Sequence, residues 1–162
     1  MYRFLILTSF ILMTFVSSAL AVSSFNVGSS GPISVESKTM SHDSNKNIST
    51  FTGNVYVRRG DLEVRADEME VHFQTLSDVK KLVAKGNVKI NKNKEEMRAM
   101  ADKVEIFVPE DLILLTGSVK AWQAKNYLEG EKVTINNKTG KIDVGSGSDK
   151  RVKIIITPEK GE

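Results

Sequence analysis

The 162-residue chain contains no cysteine, two histidines, three prolines and one tryptophan. A disulfide scaffold, thiol chemistry and thiolate metal sites are therefore excluded, and two separated histidines make a poor basis for a transition-metal centre. The scarcity of proline and the lack of low-complexity tracts argue against a long disordered region. Charge of one sign is also scarce: 23 basic against 20 acidic residues leave a net charge of +3, too small an excess to mark a nucleic-acid binder. Aromatic residues, at 7%, are too few and too scattered for a base-stacking platform.

One long apolar run exists, and it is N-terminal. Arg3 precedes an apolar stretch from Phe4 to Val16, followed by Ser17-Ser18-Ala19-Leu20-Ala21. This is the layout of a secretory signal peptide with cleavage after Ala21, and the stretch is short for a membrane span of about 20 residues. Residues 1–21 are thus read as a cleaved signal, 22–158 as one domain and 159–162 as a tail. An uncleaved anchor is the alternative. An exported chain without disulfides suits a bacterial envelope, which places the mature protein in the periplasm.

What the chain does have is repetition. A glycine motif recurs at Phe51-Thr52-Gly53-Asn54-Val55, Ala84-Lys85-Gly86-Asn87-Val88 and Leu115-Thr116-Gly117-Ser118-Val119. A second motif occurs four times, beginning at Ile33, Leu62, Met97 and Asn126; its second copy reads Leu62-x-Val64-x-Ala66-Asp67-x-Met69. Alternation with period two predicts strands with one buried face. After the small residue (Ser37, Ala66, Ala101, Gly130) the apolar phase slips by one position, as a β-bulge or sharp bend would produce. Turn signals at Arg59-Gly60-Asp61, Pro109-Glu110-Asp111 and Asn136 to Gly140 separate the strands. The connections are too short for crossover helices, so the expected fold is all-β and antiparallel. It is a roll of stacked, V-shaped strand pairs that grows along one axis.

Two stretches pull against this. Lys92 to Lys103 is rich in helix formers, but its sister copies are clearly β and the repeat takes precedence over propensity. Ser77 to Leu82 has the pattern of a capped helix start, and strand and helix both stay open there.

No catalytic constellation emerges. His42 lies in the loop-like Ser41-His42-Asp43-Ser44, and His72 alternates outward from Val71 and Phe73; no motif supplies either with a partner. Asp67, Asp102 and Glu131 share one repeat position, where accepting backbone N–H bonds at a bend is the expected role rather than metal binding. No cofactor is implied, since each glycine is isolated and none forms a phosphate cradle. The basic pairs Arg58-Arg59, Lys80-Lys81 and Lys150-Arg151 suit solvated strand ends; contact with anionic headgroups is the sharper alternative. The inner face is nearly all aliphatic: Ile33, Val35, Val55, Val57, Leu62, Val64, Ile90, Val104, Ile106 and Val108 are the candidate lipid-contacting residues. An ordinary dry core and an acyl-chain groove read alike at this level.

The runs Pro32-Ile33-Ser34-Val35-Glu36-Ser37, Ser49-Thr50-Phe51-Thr52-Gly53-Asn54-Val55-Tyr56-Val57, Ala66-Asp67-Glu68-Met69, Leu114-Leu115-Thr116-Gly117-Ser118 and Arg151 to Pro158 closely resemble the OstA-like (LptA) family of periplasmic lipopolysaccharide transport proteins. The resemblance implies an antiparallel β-jellyroll, open at both ends and without enzymatic activity. Lipopolysaccharide would travel with its lipid A acyl chains inside. Subunits would self-associate head to tail between an LptC-like inner-membrane protein and an LptD-like outer-membrane protein. By the same resemblance the lipid-contacting positions fall on Ile33, Val35, Ile90, Val104, Ile106 and Val108, with Ile90 and Ile106 replacing family aromatics. The edges for β-augmentation are Ile33 and Val35 at one end, and Val152, Ile154 and Ile156 at the other. Remaining alternatives are an LptC-like anchored component, a sugar-binding or hydrolytic β-sandwich, and a structural β-solenoid.

Overall fold

The structure, a computed structural model, describes residues 32–75, 78–147 and 151–158. Its strands are Ser34–Glu36 (β1), Thr39–Asp43 (β2), Ile48–Arg59 (β3), Leu62–Thr75 (β4), Asp78–Lys92 (β5), Met97–Phe107 (β6), Leu112–Gln123 (β7), Asn126–Asn136 (β8), Lys141–Gly145 (β9) and Lys153–Ile155 (β10). All belong to one antiparallel sheet in the order β1-β3-β4-β5-β6-β7-β8-β10, with β2 also on β3 and β9 also on β8. The proposed signal at 1–21 and the tail at 159–162 lie outside the described residues.

The phase slip read from the sequence is a bend in every long strand. Register shifts fall at Thr52/Val55, Arg65/Glu68, Lys85/Val88, Met100/Lys103 and Thr116/Val119, one height across the whole sheet. At that height the glycine motif puts two successive residues into the left-handed region: Gly86 and Asn87 at φ 75° and 48°, Gly117 and Ser118 at 76° and 47°. Glycine is needed for a second reason there, because the preceding strand crowds it. A Cβ on Gly86 would lie 2.9 Å from Asp67 Cβ, and one on Gly117 would lie 2.8 Å from Asp102 Cβ.

The valine that ends each glycine motif points inward at the bend. Val55, Val88 and Val119 pair with Ala66, Ala101 and Gly130, and all three valines are fully buried. The second motif needs its small residue because a valine from the neighbouring strand fills the corner beside it. A Cβ on Gly130, for example, would come within 2.8 Å of Val144 Cγ1.

The bend divides the sheet into two arms: a first, containing β1, β10 and the mouth-side halves from Val55–Arg59 to Asn126–Gly130, and a second, containing β2, β9 and the remaining halves. Buried residues of both arms form a single cluster, with Leu62, Val64 and Ile90 from the first and Met69, Val104 and Leu115 from the second. Ile113, Leu115, Val55, Val88 and Val119 are the largest fully buried side chains, each worth about 1.5–3 kcal/mol of apolar transfer.

At the ends of the sheet the V-shaped strand is broken in two. β1 and β2 pair with the two halves of β3, β1 through Val35↔Val57 and β2 through Met40↔Phe51, with Ser37-Lys38 at the corner. β10 and β9 do the same on β8, through Ile154↔Leu128 and Val133↔Val144. Lys92 to Lys103 follows the repeat: β5 ends at Lys92, a 3-10 turn covers Asn93–Glu95, and β6 begins at Met97. Of the ambiguous segment, Asp78 to Leu82 opens strand β5. His42 is corrected from loop to strand: it pairs with Ser49, and its Nδ1 lies 3.0 Å from Ser49 Oγ. Four polar residues in a row suggested a loop, but the β3 edge supplies the ladder that orders them.

Candidate functional site: the aliphatic trough between the arms

The register groups the inward side chains into rows that run the length of the sheet. On the first arm a row passes from Val35 through Val57, Val64 and Ile90, crosses Ala99 and Ala121, and ends at Leu128 and Ile154. On the second arm Met40, Phe51, Met69, Ala84, Val104, Leu115, Val133 and Val144 form one row. The row beyond it contains Val71, Leu82, Ile106, Ile113, Ile135 and Ile142. Alternate residues share a face, so one phase error would have scattered these positions onto solvent.

Eight of the ten candidate lipid-contacting residues lie on these inner faces. Val35, Val57, Val64 and Ile90 share the first-arm row, Val104 and Ile106 sit on the second arm, and Val55 is at the bend. Leu62 lies at the mouth, paired with both Arg59 and Lys92. Ile33 and Val108 fall just outside β1 and β6; both are exposed, and the Val108 N–H donates to Lys80 O at 3.1 Å. Met40, Met69, Ala99 and Leu128 stand at apolar positions of the second motif but are not among the lipid-contacting candidates, and sequence reasoning passed over Phe51, Leu82, Ala121 and Ile142. Extending the alternation across Gly53, Gly86 and Gly117, where the phase is kept, finds Phe51, Leu82 and Ala121.

The rows do not close at the edges of the molecule. Ile33, Met40, Ile142, Ile154 and Ile156 carry the inward phase on the edge strands or one step beyond, yet all are exposed, Ile33 at 57% and Ile156 at 74%. Within the apex, by contrast, Val119 has no exposure at all. The inner rows are buried at the bend and exposed at both ends of the sheet.

The outer face of the second arm is an ion lattice. Lys85 bridges Glu68 at 3.1 Å and also pairs with Glu70, while Glu105 takes Lys81 at 2.6 Å and Lys103 at 2.9 Å. Lys85, followed by His72, holds Glu70 below its usual value, and Lys81 with Lys103 does the same to Glu105; Glu70 in turn raises Lys85. His72 is outward as expected, with Nε2 3.1 Å from Glu70 Oε2. At the bend Asp67 accepts the side-chain amide of Asn87 at 2.8 Å and packs on Gly86, and Asp102 packs on Gly117. Among the described residues no cluster of three metal-ligating side chains occurs.

Gly147 lies close under Glu131, so that a Cβ there would come 3.1 Å from Glu131 Cδ.

Comparisons with known proteins agree with this geometry. The family model for the LptA/(LptD N-terminal domain) LPS transport protein matches residues 34–141. The lipopolysaccharide export system protein LptA of Escherichia coli K12 is 29% identical over 135 residues, covering 80% of this chain and 72% of the relative, and LptA of Shigella flexneri gives the same figures. The crystal structure of LptH from Pseudomonas aeruginosa, the LptA-homologous periplasmic component of a lipopolysaccharide transport device, has the same fold. Its TM-score is 0.67 at 19% identity, over 78% of this chain and 96% of that one. Bend and repeat thus coincide with a shared descent, and the chain belongs to the family of LptA and the LptD N-terminal domain.

Proposed function

We propose that the protein is a periplasmic bridge that carries lipopolysaccharide from the inner to the outer membrane, with the acyl chains held between the two arms. One observation carries the reading: aliphatic rows run from edge to edge on both arms and end in inward-facing, exposed residues. A core that served stability alone would close over itself. Eight strand widths at about 4.8 Å give a trough of roughly 40 Å, and every CH₂ withdrawn from water contributes about 0.8 kcal/mol. The contacts are similar along the row, so a lipid meets no single deep well and can be passed onward. No covalent chemistry is involved.

Subunits join head to tail by β-augmentation, β1 and β2 of one copy continuing β10 and β9 of the next. The same edges accept an LptC-like partner at the inner membrane and an LptD-like partner at the outer membrane. The exported domain is 22–158, after cleavage at Ala21.

Photo-crosslinking in cells tests this, with the probe at inward Ile106 and at outward Thr134. Thr134 is a better control than Glu105, whose loss would break the pairs with Lys81 and Lys103. A lipopolysaccharide adduct at Ile106 alone is expected. Equal adducts at both positions, or none at Ile106 in a functional variant, would overturn the reading.

A further inference from the structure

The two arms differ sharply on their outer faces. On the second arm, five cations (Lys81, Lys85, Lys103, Lys132, Lys141) are matched by five acids (Asp43, Glu68, Glu70, Glu105, Asp143) in the rows that the register defines. On the first arm, six cations (Arg58, Arg65, Lys89, Arg98, Lys120, Lys153) meet only three acids (Glu36, Glu63, Glu129). All six cations are exposed. Glu63 and Glu129 are already engaged by the hydroxyls of Tyr56 and Tyr127. Lys89, Arg98 and Lys120 have no ion pair among the described residues. The net positive charge of the chain is therefore concentrated on one face of one arm.

That face also carries amphipathic and apolar groups. Trp122 packs on Tyr127 with ring centroids 5.3 Å apart, and Met100 and Ile155 stand exposed beside the cations. Two shallow concavities open among these residues. One of about 480 Å³ is lined in part by Asn91, Arg98, Met100 and Trp122; the other, of about 680 Å³, by Lys120, Glu129, Arg151 and Lys153. Cations spread over a broad sheet, interleaved with an interfacial tryptophan and tyrosine, match the chemistry of a phosphate-bearing bilayer surface. An acidic protein would be expected to meet fixed, paired cations and an apolar centre, whereas here Lys89, Arg98 and Lys120 are long, dispersed and without an ion pair among the described residues, while Arg65 and Lys153 lie over the rings of Tyr56 and Tyr127.

We infer that the outer face of the first arm, around Lys89, Arg98, Lys120 and Trp122, docks on an anionic phospholipid surface. This goes beyond carriage of lipid in the trough, since these side chains point away from it. The interaction is electrostatic first: each cation near an anionic bilayer strengthens binding about fivefold, and salt weakens it.

The test uses the purified protein with vesicles of phosphatidylglycerol and phosphatidylcholine in equal parts, against vesicles of phosphatidylcholine alone. Co-sedimentation and the emission of Trp122, the sole tryptophan, are both read. The expected result is a blue shift and pelleting with the anionic vesicles only, lost at about 500 mM salt. Lys89→Gln/Arg98→Gln/Lys120→Gln should weaken binding about 100-fold. The charge-matched variant Lys132→Gln/Lys138→Gln/Lys141→Gln should bind as the parent does, with circular dichroism confirming both folds. Equal binding to uncharged vesicles, or undiminished binding by the first triple variant, overturns the proposal. So does a Trp122 shift with polyglutamate but not with vesicles, which would assign the face to an acidic polypeptide. None of these readouts depends on lipid entering the trough.

Discussion

Asp67 packs directly on Gly86, and its carboxylate holds the side-chain amide of Asn87 at 2.8 Å. This contact joins the two sequence motifs: the acid of one strand closes over the bulge of the next. Gly86→Ala should therefore cost about 2–4 kcal/mol, combining an unfavourable left-handed backbone with the clash against Asp67. Gly140→Ala, at φ 68° with open space around its Cα, should cost only about 1 kcal/mol. Urea denaturation of the two variants gives the comparison; equal losses would mean that the packing on Gly86 is unimportant.

Leu115 is buried in the middle of the second-arm row, between Val104 and Val133. Leu115→Ala should lower stability by about 2.5–4 kcal/mol through lost burial and a residual cavity. Ala121, half-buried on the facing arm, should behave differently. On the proposed function, Ala121→Phe adds bulk to the first-arm row between Ala99 and Leu128, so lipopolysaccharide adducts at Leu128 should fall while the fold persists. Thermal melts and crosslinking separate the two effects.

Ile154 is 55% exposed yet faces the same way as buried Ile90. Ile154→Asp should leave the melting temperature nearly unchanged and shift the protein from oligomer to monomer in light scattering across a dilution series. An unchanged mass distribution would argue against β10 as a joining edge.

Glu70 and Glu105 are both held below the usual carboxylate value of 4.5, chiefly by Lys85 and Lys81 respectively. Their contribution to stability is complete above pH 4.5 and declines as pH falls through the lowered folded values. Lys85, raised above 10.5, contributes fully below that pH and loses its share as pH rises beyond it. Glu105→Gln should thus be less stable than the parent at pH 7, by about 0.5–1 kcal/mol, with the gap narrowing below pH 4. A gap independent of pH would place the loss in packing instead.

The bend was legible because it shifts the phase of alternating residues, and four copies make such a shift hard to mistake. The apolar face followed from it, Val35, Val57, Val64 and Ile90 included, whereas their alignment in a single row depends on the register between strands. Edge strands were harder. β2 and β9 are five residues each and carry polar stretches such as Ser41-His42-Asp43, so their strand character comes from β3 and β8 rather than from their own composition. The contrast between the outer faces was invisible for another reason. Which charge stands opposite which depends on register across strands far apart in sequence, as in Lys85 between Glu68 and Lys103.

The bend recurs at one height in every long strand, and this makes the molecule a profile extruded along its axis. Adding a hairpin would repeat the cross-section and extend the trough by about 9–10 Å without changing its width or depth. On the proposed function, reach and selectivity are thereby uncoupled: what fits between the arms is set within a strand, and how far it is carried by the number of strands. A lineage can then match a wider or narrower gap by duplicating or losing hairpins, in discrete steps, while the passage stays the same for its cargo.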